Sequence, residues 1–239
     1  MSGVEEVRDF MQRRHGIVLP DVDIRYSNNI DCGLTVSPMP DWYSEDGTPY
    51  AIREWNGQLK AGGLSDAEIE RHDRSKYAIY LPSSYLDSPL DFQAGMWEEM
   101  GHVLAFTLKV LDRVQNESVS LTYRFIGLTR AAKMGLLGKE EVLDHLELCW
   151  KSTAHERAHA FMFRKLGQMG LKVRQELKEP HYYKSFFAIR RYNEKMVFRG
   201  RDLDEIMQEL DRSLDYAIAL ALGRPWGKKI KSLLAKILS

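Results

Sequence analysis

Three ionisable residues, Glu98, Glu99 and His102, stand in the run Met96-Trp97-Glu98-Glu99-Met100-Gly101-His102-Val103-Leu104, whose other members are mostly apolar. With Phe92, Phe106, Leu108, Val110 and Leu111, these residues cover almost every face of a helix predicted over Phe92 to Leu111, and a helix apolar all round is a buried one. Charged groups there need an ion partner, a proton or a metal, because burying them bare costs several kcal/mol. At about 100° per residue, Glu98 and His102 lie about 40° apart around the axis and Glu99 about 60° from His102, so all three can address one site. Carboxylate and imidazole so placed can bind a metal ion, and a second carboxylate can take a proton from the water that the metal activates.

Glu99-Met100-Gly101-His102-Val103-Leu104 resembles the second half of the zinc-binding helix of the zincin metallopeptidases, His-Glu-x-x-His, including the small residue before the second His. The first ligand position holds Glu98 instead of His. The resemblance implies zinc held by Glu98 and His102, with Glu99 as general base.

A second cluster, His155-Glu156-Arg157-Ala158-His159, is literally His-Glu-x-x-His, but charged Arg157 stands where the motif is usually apolar or small, and no strand leads into it. In glutamate-type zincins the third ligand is a Glu on a later helix, followed by Ala and aromatic residues. Glu156, followed by Ala158, Ala160, Phe161 and Phe163, is similar to that helix. The resemblance implies Glu156 as third ligand, with His155 or His159 as alternatives. Glu156 also falls on the apolar stripe Val142, Cys149, Phe163 and is expected to face inward.

The elements that position these groups follow from local pattern. Ser88 as N-cap, Pro89 at the first helical position and Asp91 at the third open the buried helix. Val4, Val7, Phe10 and Met11 predict an amphipathic helix that His15-Gly16 stops. Val22 to Tyr26, Gly33 to Val36 and Tyr77 to Leu81 read as strands. Residues 37 to 76 read as an insertion or lid carrying a hairpin, with Ala51 to Trp55 and Gln58 to Ala61 flanking a type I′ turn at Asn56-Gly57. Helices are expected over Val119 to Leu136, Lys139 to Leu166 and from Asp202, where Asp202-Leu203-Asp204-Glu205 is a capping box; residues 170 to 200 give little pattern.

The expected fold is α+β: one domain over 1–239, with a small sheet in the N-terminal third packed on the metal-type helix and a mainly helical C-terminal half over 115–239. The order of elements over 1–114 is similar to the N-terminal half of zincins. In that family the strand before the zinc helix is an edge to which peptides add, which here implies Tyr77 to Leu81.

Composition limits the function classes. The 34 basic and 34 acidic residues cancel, so nothing global points to nucleic acid. Two cysteines, Cys32 and Cys149, form no disulfide framework and fit a reducing compartment. With no signal-peptide pattern and no long apolar span, a soluble cytoplasmic protein is expected. The tail from Trp226 combines Ile230, Leu233, Leu234 and Ile237 with Lys228, Lys229, Lys231 and Lys236, a basic amphipathic helix suited to its own domain, a partner or a membrane surface.

The leading expectation is a zincin-like metallohydrolase, a peptidase acting on peptides or proteins with zinc. One alternative is a zincin-like pseudoenzyme that binds a protein partner. A second is a di-iron or di-manganese carboxylate protein, using the Glu-x-x-His pairs Glu99/His102 and Glu156/His159.

Overall fold

The computed structural model describes residues 3–38, 49–110, 113–152 and 198–221. The chain is α+β, and its sheet has the strand order β1-β3-β2. Helix α1 (Val4–His15) ends at Gly16, whose φ of 63° is the left-handed conformation that glycine adopts without strain. Strand β1 (Val22–Ser27) runs parallel to β3 (Tyr77–Pro82), and β2 (Leu34–Val36) runs antiparallel to β3 on its other side. The strand Tyr77 to Leu81 is therefore central, with both edges paired, and cannot accept a peptide as the resemblance implied.

Alternation along β3 divides the core. Ile79 and Leu81 join the main cluster, while Ala78 and Tyr80 face a second cluster with Val36, Trp55, Leu59, Leu64 and Ile69. Helices α2 (Pro49–Ala61) and α3 (Asp66–Glu70) supply that second layer. The expected hairpin at 51–61 is thus a correction: the segment is helical. Trp55 and Leu59 are four residues apart and both buried, and a 3.6-residue period brings them onto the same apolar layer while Gly57 is exposed.

A 3-10 turn (Ser83–Asp87) leads to α4 (Pro89–Thr107), the buried helix. Ser88 Oγ accepts from Asp91 N at 3.3 Å, so the expected cap is present. The helix ends before Leu111. Lys109 takes a φ of 58°, and Val110 N donates back to Ala105 O at 2.9 Å.

Helix α5 (Arg113–Lys133) packs along α4. The approach is close: a Cβ at Gly127 would lie 2.1 Å from Trp97 Cγ, and one at Gly101 would lie 2.7 Å from Ser120 Cα. Gly135 provides the left-handed turn after α5, with φ of 70°. Helices α6 (Lys139–Ser152) and α7 (Leu203–Ala221) complete the main core through Val142, Leu146, Ile206, Leu210 and Leu214. Asp202 Oδ1 accepts from Asp204 N at 2.8 Å and Glu205 N at 3.3 Å, as an N-cap should.

Candidate active-site helix

Glu98, Glu99 and His102 of α4 each have a protein partner, and the partners come from different elements. Glu98 is half-buried, and Arg124 of α5 donates Nη1 to its Oε2 at 2.8 Å. The guanidinium remains charged: burial works against it, but the Glu98 carboxylate, together with Cys149 and Tyr85, outweighs that and raises its pKa. Arg124 Nη2 also lies 3.0 Å from His145 Nε2, and since a guanidinium only donates, that nitrogen accepts and the ring proton is on Nδ1.

Glu99 is 5% exposed and turns toward β2. Thr35 Oγ1 lies 2.7 Å from Glu99 Oε2 and 3.0 Å from Glu99 O, so its single proton is shared between two acceptors. Gly33 closes over the same carboxylate, where a Cβ would stand 2.4 Å from Oε1. Burial pushes the Glu99 carboxyl up to about 7, against the lowering effects of His102 and the Thr35 hydroxyl.

His102 is oriented from α5. Its Nδ1 lies 2.5 Å from Asn116 Oδ1, and Asn116 Nδ2 donates to Val110 O at 3.3 Å. The carbonyl bond fixes the amide's orientation, so Asn116 Oδ1 accepts from Nδ1–H and Nε2 is left as the acceptor nitrogen.

These positions test whether a metal fits. The His102 tautomer suits an Nε2 ligand, and an Asn holding the other nitrogen is a common outer partner of such a ligand. Glu98 does not fit: a cation there would sit against a guanidinium already bonded to the carboxylate. Among the described residues, no three of His, Cys, Asp and Glu are grouped to hold a metal ion. Glu156, His155 and His159 lie outside the described residues, as do the end of the helix expected to reach Leu166 and the basic tail.

The residues that sequence reasoning missed carried a signal. Arg124 falls on the stripe Leu121, Phe125, Leu128 that buries α5, and His145 lies between Val142 and Cys149 on the inner side of α6. Each is a polar residue on an apolar face, the same signal that singled out Glu98. Gly33 and Thr35 had none, because their role depends on where β2 crosses α4.

The opposite face of the sheet carries a depression of about 590 Å³ lined by Ile24, Arg25, Tyr26, Glu68, Arg71 and Tyr80. The Arg25 guanidinium lies 5.9 Å from the centre of the Tyr80 ring and donates to Arg71 O at 2.9 Å and Asp23 Oδ2 at 3.2 Å. The depression borders β1, which pairs only with β3 among the described strands. Among the described residues, no helix is long and apolar enough to cross a membrane.

Comparison of the chain with protein-family models, with curated proteins and with solved structures found no match.

Proposed function

We propose that this chain is a zincin-like domain that binds an extended peptide segment of a protein partner without cleaving it. The observation that carries the reading is the Arg124–Glu98 ion pair, which puts a fixed cation against the carboxylate expected to ligate zinc. Glu99, sealed under Gly33 and Thr35, then serves the fold instead of a water molecule.

Binding falls to β1. An extended peptide would add along its outer edge through main-chain hydrogen bonds, with alternate side chains entering the adjoining depression. Arg25 and Arg71 favour an acidic side chain there, and Tyr26, 42% exposed, offers an apolar contact.

The hydrolase reading keeps support from two observations. His102 is held in the tautomer that leaves Nε2 to ligate, and Glu99, at about 7, is matched to general-base work near neutral pH. It needs Arg124 to release Glu98 and a third ligand from 155–159.

One experiment separates the readings. The full-length chain is incubated with a mixed peptide library, with and without added zinc, and retained and cleaved peptides are identified by mass spectrometry. Retention of acidic extended peptides, weakened by Arg71→Glu and without cleavage, is expected. Zinc-dependent cleavage that disappears in Glu99→Gln would overturn the proposal in favour of the hydrolase.

A further inference from the structure

Beyond Glu98, the polar cluster continues inward to a thiol. Cys149 Sγ lies 3.3 Å from His145 Nε2 on the same turn of α6, and the same nitrogen lies 3.0 Å from Arg124 Nη2. Because Arg124 can only donate, Nε2 is an acceptor, and its single lone pair is shared between the guanidinium N–H and the Cys149 S–H. Burial and the neighbouring Arg124 lower the His145 pKa, which keeps the ring neutral, with a lone pair on Nε2. Cys149 and Arg124 interact electrostatically, so a thiolate at Cys149 has a guanidinium to balance it. Among the described residues, the other charged or titratable groups acting on this cluster include Glu98 and Asp91 of α4 and Tyr85 of the 3-10 turn.

The second cysteine sits in the opposite field. Cys32 is exposed, yet partial burial of its thiol and the carboxylates of Glu99, Glu98 and Asp31 raise its pKa. Accessibility alone ranks Cys32 as the more reactive thiol, whereas charge ranks the half-buried Cys149 first.

We propose that Cys149, with His145 and Arg124, is an oxidation site whose co-substrate is a peroxide. The Cys149 proton passes to His145 Nε2, which then no longer accepts from Arg124, and the guanidinium turns to the thiolate. The sulfur attacks one peroxide oxygen: the S–O bond forms as the O–O bond breaks. The leaving hydroxide takes the proton from Nε2 and departs as water. Sulfur is oxidised by two electrons to sulfenic acid, the peroxide is reduced by two, and His145 returns to its starting tautomer.

The test uses the full-length reduced chain, hydrogen peroxide and dimedone as a sulfenic-acid trap, with labelling at each cysteine followed by mass spectrometry. Cys149 should label faster than Cys32 at neutral pH, because Arg124 favours its thiolate while the carboxylates around Cys32 disfavour that of Cys32. Two neighbouring variants should move that rate in opposite directions. Glu98→Gln leaves the guanidinium charge uncompensated and should speed labelling of Cys149, while Arg124→Gln removes that charge and should slow it. His145→Gln should slow it also, with Cys32 in the same chain as the control for folding. Faster labelling of Cys32, or a Cys149 rate that Glu98→Gln and Arg124→Gln move in the same direction or leave unchanged, would overturn the assignment.

Discussion

At Glu99 a carboxyl group is held where water cannot reach it, and its protonation becomes part of the stability of the fold. Its pKa is about 7 in the fold and in the ordinary carboxylate range when unfolded. Between those values the folded chain holds the proton that the unfolded chain has lost, so stability is greatest below the unfolded value and falls as pH rises toward 7. The full cost of the shift is on the order of 3 kcal/mol. Glu99→Gln, which keeps an acceptor for Thr35, should stabilise the protein at pH 8 by up to about 3 kcal/mol and leave it nearly unchanged at pH 4.5. Urea unfolding at both values checks this, and a less stable variant at pH 8 would mean that the ionised carboxylate is needed. Gly33 gives a second test at this scale. In Gly33→Ala the new methyl meets the buried Glu99 side chain, at a cost of about 1–3 kcal/mol, the usual range for overpacking. Glu99→Ala in the same chain should recover most of that loss, because it removes the clashing atoms; equal instability of the double variant would show that the strain lies elsewhere.

At the level of elements, two glycines inside helices have opposite roles. Gly57 of α2 is exposed and a Cβ there meets nothing within 4 Å, so Gly57→Ala should stabilise the protein by about 0.5–1 kcal/mol through helix propensity. Gly127 of α5 lies directly against Trp97, so Gly127→Ala should destabilise it, by about 1–3 kcal/mol or more. Thermal or urea melts of the two variants should diverge in sign. The same comparison shows what the sequence could disclose. Strands β1, β2 and β3, the Ser88 cap, the Asp202 cap and the Gly16 stop were legible because each depends on residues within a few positions. Asn56-Gly57 misled because turn propensity is a local signal, and the burial of Trp55 and Leu59 against Tyr80 decided the segment instead. The order β1-β3-β2 was not legible either, since pairing across about 50 residues leaves no local trace, and with it went the expectation that Tyr77 to Leu81 was an edge. Within the candidate site, the inward-facing groups of α4 could be read from periodicity. Which partner each would meet could not, because Arg124, Asn116 and Thr35 are set by how α5 and β2 pack on α4.

Across the whole molecule, polar contacts tie distant parts of the chain together. Arg14 forms ion pairs with Asp211 at 3.0 Å and Asp215 at 2.9 Å, joining α1 to α7, and His15 Nε2 meets the hydroxyl of buried Tyr123 on α5. Arg130 links α5 back to α1, at 4.4 Å from the centre of the Phe10 ring and 3.8 Å from Glu6. Burial and Arg14 lower the His15 pKa to about 4, and burial lowers those of His72 and His145. A neutral buried imidazole is stabilising above its unfolded pKa, and that contribution is lost as pH falls through the folded one. The histidines therefore weaken the fold on acidification over much of the range in which Glu99 strengthens it. The native chain should show a shallow dependence of stability on pH between about 4.5 and 7. Glu99→Gln should expose a steeper loss toward acid, visible as a midpoint that drops with pH in thermal melts; a profile as shallow as that of the native chain would contradict this opposition.

The zinc content of the full-length chain, measured by elemental analysis after saturation with zinc and removal of the excess, tests the pairing of Glu98 with Arg124 most directly. If Arg124 holds the position where the resemblance puts a metal, zinc stays well below one per chain and does not change in Glu98→Gln or His102→Gln. One zinc per chain, lost in both variants, would contradict it and return the helix to a metal-binding role.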